Sequence, residues 1–293
     1  MTRLPLRLTP ATLATYRPGG LVAVALGAYA GIPAKRPRPR LVARSAAPAL
    51  RTRAFSGAAG RGSPVVPAAM TAIVPVRGAL EQRASIWDCG EPCAYDTIEE
   101  DILEALSDPG VGQAILDVDS PGGDVPGLEQ AILRIRAGVV ALGKPLLGYV
   151  NEFAASAALW LMLGVCDGVY LPPSARMGSI GSVVIFGSDA RRLAKEGTDI
   201  YVGRDPGGKM NPNPLEALDA LGKARIDRLA AEGAGRFYAG VEALREIPAA
   251  ELRAWNGEVF TGQVAADMGI ADGVFSLEQT IALAESWPRT EAA

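Results

Sequence analysis

A serine among alanines, a glycine pair after an apolar run and a lysine in a loop are the groups in this chain that could do chemistry together. In Asn151-Glu152-Phe153-Ala154-Ala155-Ser156-Ala157-Ala158, Ser156 is flanked by four alanines at the opening of a helix. The small neighbours leave room for a substrate main chain, and a helix N-terminus favours a developing oxyanion. The alternative is a buried serine in a closely packed small-residue helix. In Asp119-Ser120-Pro121-Gly122-Gly123-Asp124, two glycines let backbone approach a ligand and turn N–H groups toward an anion or oxyanion just before a helix. A plain tight turn is the alternative. The third segment runs from Gly203 to Pro214 and carries Lys209 among Gly, Met and Pro. A poorly solvated lysine titrates low and can take a proton from a serine; an ordinary loop lysine is the alternative.

Composition decides which of these alternatives matter. There is no histidine in 293 residues, so no Ser-His-Asp or Cys-His site can be built from this chain. A hydrolase made here must draw its base from lysine, a carboxylate or an amino terminus. Lysine is scarce, five against 24 arginines, so wherever positive charge alone matters this chain uses arginine. Lys35 falls in an N-terminal tail, Lys144 in a Gly-Lys-Pro turn, and Lys195 and Lys223 on polar helical stretches, which leaves Lys209. The three cysteines, Cys89, Cys93 and Cys166, give neither a disulfide framework nor, without histidine, a zinc site. No metal or other cofactor is expected.

Residues 1–70 hold eleven basic residues and no acid, whereas the rest of the chain carries 18 basic and 32 acidic residues. Residues 1–68, rich in Arg, Pro, Ala and Gly, read as a basic tail unable to offset the entropy of ordering. Within it, Arg3, Arg7 and Arg17 precede a short apolar run, Leu21 to Leu26, and Ala28-Tyr29-Ala30 resembles a signal-peptidase site. The run is too short for a membrane anchor, and nucleic-acid binding is not expected.

The elements that must position the three segments begin near Thr71. Strands are expected at 71–76, 114–118, 145–150, 169–171, 182–186 and 200–202. Helices are expected from a capping box at Asp96–Glu99, from Leu128, over 154–163, 189–196 and 215–245, and over 260–268. Strands alternating with helices imply an α/β fold with a mostly parallel sheet. The domain organisation expected is a tail over 1–68, one catalytic domain over 69–285, and a short C-terminal tail over 286–293.

Taken in order, four segments and the lysine loop resemble the signal-peptide-peptidase-A (protease IV) family of serine peptidases, closest to its bacteriophage prohead-protease branch. They are Ile73-Val74-Pro75-Val76-Arg77-Gly78, Leu116-Asp117-Val118-Asp119-Ser120-Pro121-Gly122-Gly123, Asn151 to Ala158, and Met177-Gly178-Ser179-Ile180-Gly181. The similarity covers about residues 70 to 280. It implies a crotonase/Clp-protease-like fold and a Ser–Lys dyad, with Ser156 as nucleophile. The family's base lies some fifty residues later, which fits Lys209, 53 residues on. The resemblance further implies that Ser179 orients the lysine and that the Gly123 and Ala157 N–H groups form the oxyanion hole. It implies protein or peptide substrates, a homo-oligomer in the form of a ring or dome, phage capsid and scaffold proteins as partners, and a cytoplasmic or prohead location. Degradation of signal peptides at the membrane, a silent assembly scaffold and acyl-CoA chemistry on the same fold are the competing readings. Leu159 and Ser182 stand where the family usually has an aromatic and a valine.

Overall fold

The structure, a computed structural model, describes residues 22–23, 40–42, 70–83, 93–204 and 208–288. Its centre is a sheet of parallel strands: β3 (Met70–Arg77), β6 (Val111–Ser120), β7 (Leu146–Ala155), β8 (Gly168–Leu171) and β9 (Arg176–Gly178). β6 is buried almost throughout. A strand covered on both faces by helices is apolar at its centre, and here Ala114–Leu116 and Val118 fill it, with Asp117 between them. β3 and β7 flank β6, and β7 forks. Leu147–Tyr149 pairs with β8, and Phe153–Ala155 pairs with β9. The edges are closed by β2 (Arg40–Val42), antiparallel to β3, by β11 (Val259–Thr261), antiparallel to β9, and by β12 (Gly273–Val274), parallel to β8.

One face of the sheet is packed by α1 (Tyr95–Ser107), α2 (Leu128–Leu142) and α3 (Ala157–Val165), with the long α5 (Ala220–Arg245) stacked behind α3. Trp160 of α3 lies on Phe237 of α5 with ring centroids 4.9 Å apart. The other face is covered by α8 (Leu277–Ser286), where Ile281 and Ala284 meet Ile73, Ile115, Leu147, Tyr149 and Tyr170. The remaining described elements are short: β1 (Val22–Ala23), β4 (Leu80–Glu81), β5 (Cys93–Ala94), β10 (Val184–Ile185), α4 (Ala190–Lys195), α6 (Ala249–Ala254) and α7 (Gly262–Asp267).

Several expectations from sequence are corrected. α1 starts at Tyr95 with Ala94 as its N-cap, so Asp96 lies inside the first turn and accepts the Thr97 N–H instead of capping. The cause is Tyr95, which is drawn into the core at 1% exposure and starts the helix early. Ala154 and Ala155 belong to β7, because pairing with β9 prolongs that strand to the residue before Ser156. Residues 200–202 form no strand; Tyr201 is fully solvent-facing. Residues 215–219 precede α5, whose start is fixed by the Asp219 carboxylate accepting the Gly222 N–H. Phe260 is in β11, and only 262–267 are helical. Within the stretch expected to lack packed elements, β1 and β2 are two short strands; the rest of residues 1–68 and residues 289–293 lie outside the described residues.

Candidate active site

Ser156 sits at the corner between β7 and α3 with φ 52° and ψ −125°. A non-glycine residue held there is strained by about 1–3 kcal/mol, and such strain persists only where surroundings over-determine it. Two backbone bonds do so. The Ser156 N–H donates to the Gly178 carbonyl at 2.9 Å, and the Trp160 N–H donates to the Ser156 carbonyl at 3.1 Å. A serine on a sharp strand-to-helix turn is how hydrolases commonly expose a nucleophile at the end of a parallel sheet. Here the residue is 3% exposed.

The glycine turn runs directly against this corner. Gly122 has φ 95°, and a Cβ on it would lie 2.7 Å from the Ala155 carbonyl oxygen, 2.8 Å from Ser156 Cβ and 2.9 Å from the Ala157 nitrogen. Only glycine fits. Gly123 bridges Leu80: the Leu80 N–H donates to the Gly122 carbonyl and the Asp124 N–H to the Leu80 carbonyl, both at 2.9 Å. In such a bridge the central residue's own N–H faces the opposite edge. Gly122, the residue before it, is the one that lies against Ser156. Side chains brace the turn. Ser120 Oγ donates to the Gly78 carbonyl at 2.6 Å, and Tyr95 Oη donates to the Asp124 carbonyl at 2.5 Å. Burial pushes the Tyr95 hydroxyl far up, so it stays a donor. Ala157 opens α3, and its N–H is among the first-turn donors that a helix leaves without an internal partner.

Ser179 follows the Gly178 that receives the Ser156 N–H. It has φ 55°, and its own N–H donates to the Glu258 carbonyl at 2.8 Å. Backbone pairing therefore gathers Ser156, Ala157, Gly123 and Ser179 at one end of the sheet. Lys209 is carried on a separate support. It is exposed, where the sequence led us to expect poor solvation, and lies in a turn closed by the Asn211 N–H on the Gly208 carbonyl. The Arg225 guanidinium of α5 donates to the Gly208 carbonyl at 2.7 Å and the Asn211 carbonyl at 2.6 Å. The buried Asn213 side chain donates to the Met210 carbonyl at 3.0 Å. A polar cavity of about 170 Å³, lined by Arg204, Asn211, Asn213, Glu216 and Asp219 among others, adjoins this loop and not Ser156. Residues 205–207 of the lysine segment lie outside the described residues.

Behind the glycine turn, Arg77 pairs with Asp117 and also donates to its carbonyl. Burial pushes the Asp119 carboxyl up; Glu152 and Asp117 add to this, and Arg77 opposes it. Among the described residues no group of His, Cys, Asp and Glu is placed to hold a metal ion. Burial pushes the Cys166 thiol up, and Cys89 lies outside the described residues. Sequence reasoning missed four positions that build the site: Gly122 as the residue touching Ser156, Leu80 as the clamp on Gly123, Gly178 as the Ser156 acceptor, and Arg225 as the tether of the lysine turn. Gly122 and Gly178 stand beside residues the sequence had singled out. Leu80 and Arg225 carry no local signal.

The sequence model of peptidase family S49 matches residues 140–288, the span that holds Ser156, Ser179 and Lys209. This chain belongs to peptidase family S49. Its α/β architecture, with a mostly parallel sheet, is the crotonase/Clp-protease-like fold of that family. It is 28% identical over 216 residues to the head-tail preconnector protein GP5 of Enterobacteria phage P21, covering 72% of this chain and 42% of that protein. It is 28% identical over 206 residues to capsid assembly protease C of Escherichia phage lambda, covering 69% and 45%. It is 27% identical over 195 residues to Protease 4 of Salmonella typhi, covering 64% and 30%. The chain thus spans less than half the length of these relatives.

Proposed function

We propose that this chain is a serine endopeptidase that uses Ser156 as nucleophile and Lys209 as general base, and that it acts on capsid or scaffold proteins during phage prohead maturation. The observation that carries the reading is the strained strand-to-helix corner at Ser156 with the Gly122-Gly123 turn laid against it. Neutral Lys209 takes the proton from Ser156 Oγ, which attacks the peptide carbonyl. The Gly123 and Ala157 N–H groups hold the oxyanion; losing one such donor typically costs 10²–10³ in rate. Lys209 then gives the proton to the leaving amine, and water hydrolyses the acyl-enzyme. Ser179 orients the lysine, and no cofactor enters. Because Lys209 is exposed in the single chain, the proposal requires bound substrate or a neighbouring copy in a ring to cover it. The names of the two phage relatives support the capsid assignment. No helix among the described residues is long and apolar enough to cross a membrane.

The test is hydrolysis of an unfolded protein by wild type, Ser156→Ala and Lys209→Ala, with fluorophosphonate labelling of each. Wild type should cleave and label, Ser156→Ala should do neither, and Lys209→Ala should lose at least about 10³-fold in rate. Full activity in either variant overturns the dyad, and a wild type that neither labels nor cleaves returns the chain to a scaffold.

A further inference from the structure

Leu80 and Tyr95 hold the glycine turn from a single unit. β4 and β5 pair in parallel, Leu80 opposite Cys93 and Glu81 opposite Ala94, and β5 ends at the residue before Tyr95. Leu80 acts through its backbone: its N–H donates to the Gly122 carbonyl, and its carbonyl accepts the Asp124 N–H. Tyr95 acts through its side chain, the hydroxyl donating to the Asp124 carbonyl at 2.5 Å. Both residues are buried in the core.

These bonds fix three successive peptide planes. A trans peptide carries its C=O and N–H on opposite sides, so the Leu80 bond on the Gly122 carbonyl turns the Gly123 N–H away from Leu80. The Asp124 N–H holds the second plane, and the Asp124 carbonyl holds the third. Before the glycines the chain is tied by Ser120, whose Oγ donates to the Gly78 carbonyl and accepts the Gly122 N–H at 3.2 Å. After them it is tied by Tyr95. Glycine has the widest backbone freedom of any residue, so the orientation of the peptide shared by Gly122 and Gly123 depends on ties at both ends. Further along, Gly127 is left-handed at φ 86° and starts α2 without a side-chain cap.

Packing accounts for the Tyr95 ring but not for its hydroxyl. A buried hydroxyl costs stability unless it is paired, so phenylalanine would serve if the ring only filled the core. Nor does the hydroxyl cap its own helix: α1 begins at Tyr95 with no side-chain cap, and the hydroxyl reaches the turn 29 residues along the chain. Burial pushes the hydroxyl up, with Asp124 and Cys93 adding to this, so it keeps its proton and stays a donor at neutral pH. We propose that Tyr95 is a positioning residue of the oxyanion turn, its hydroxyl acting through the Asp124 carbonyl to hold the Gly122–Gly123 peptide with its N–H set for the tetrahedral intermediate. The inference rests on the peptidase reading and deepens it. Tyr95 acts at one remove from the reacting atoms.

Tyr95→Phe removes one oxygen and keeps the ring, and casein hydrolysis by the full chain reads the result. Its kcat and kcat/KM should fall together by about tenfold or more, as expected when an interaction felt in the transition state is loosened. Fluorophosphonate labelling should slow by the same factor. The midpoint of the pH–rate profile should match wild type, since no group that titrates there is touched. Ile102→Val, at a fully buried position of the same helix, controls for lost stability. It should lower the melting temperature while its rate per titrated site stays within about twofold of wild type. A Tyr95→Phe rate equal to wild type, a rise in KM alone, a shifted pH midpoint or an equal rate loss in Ile102→Val each overturns the positioning inference and leaves the peptidase reading standing. So does a Tyr95→Phe chain that no longer folds by circular dichroism, because the hydroxyl would then hold the fold and not the turn. A wild type that neither cleaves casein nor labels overturns the peptidase reading, and this inference with it.

Discussion

At the scale of the residue, the site is built from backbone conformations that side chains other than glycine resist. Gly122 shows this most directly, since two of the three atoms its Cβ would meet are backbone atoms, the Ala155 carbonyl oxygen and the Ala157 nitrogen. Neither can rotate away. Gly122→Ala should therefore displace the Ser156 corner and cost more than about 1 kcal/mol from φ alone. The expected result is a lower melting temperature and at least about a hundredfold slower fluorophosphonate labelling; labelling at the wild-type rate would show that the turn does not set the nucleophile. Asp119 offers a pH test. Burial raises its carboxyl above the ordinary aspartate value. An acid raised on folding favours the neutral form, so its stabilising effect is complete below the unfolded value and is lost as pH rises through the folded one. Asp119→Asn should match wild-type stability at low pH and exceed it increasingly as pH climbs past the ordinary carboxylate range. Thermal melts from pH 3 to pH 8 decide this, and parallel curves would refute it.

At the scale of the element, two supports carry the proposed dyad, and they differ in how they are held. Ser156 is fixed by the sheet itself through β7 and β9. Lys209 depends on Arg225, whose Nη1 donates to both the Gly208 and the Asn211 carbonyls. Arg225→Ala should leave the circular dichroism unchanged and lower kcat by about tenfold or more, with KM altered less, because the base is loosened while the serine corner is not. Arg225→Lys should recover part of the lost rate, since a single nitrogen makes both bonds and an ammonium offers three protons; hydrogen exchange at 208–211 should rise most in Arg225→Ala. The same contrast explains what was legible in the sequence. Ser156, the Gly-Gly turn and the β6 run were readable because each is a local pattern. The end of β7 was not, because Ala154 and Ala155 become strand only by pairing with Met177 and Gly178, which lie beyond α3 and β8 in the chain. α8 went unseen although Ser276 and Gln279 form a capping box, since its apolar face is short and follows a loop that gives no other signal. The support of Lys209 was invisible for a different reason: Arg225 lies on a polar helix face, and nothing local marks it as the partner of a turn fourteen to seventeen residues earlier.

At the scale of the whole molecule, the sheet separates two packed layers that should respond differently to damage. The layer of α1, α2, α3 and α5 contains the helix that starts at Ser156 and the helix that tethers Lys209, locked together where Trp160 stacks on Phe237. The layer under α8 contacts β3, β6 and β7 through Ile73, Ile115, Leu147 and Tyr149. None of these residues belongs to the Ser156 corner or to the Lys209 turn. Phe237→Ala should cost about 3–5 kcal/mol and also lower kcat, because it removes what holds α3 and α5 in register. Ile281→Ala, 7% exposed in the α8 layer, should cost about 2–5 kcal/mol by the same cavity mechanism. Its rate per folded molecule, counted by fluorophosphonate titration, should nevertheless stay within about twofold of wild type, a change worth less than 0.5 kcal/mol in the barrier. Denaturation curves and titrated rates on the two variants separate the layers. If Ile281→Ala lowered the titrated rate as far as Phe237→Ala, the sheet would be transmitting strain between its faces, and the corner at Ser156 would depend on both layers.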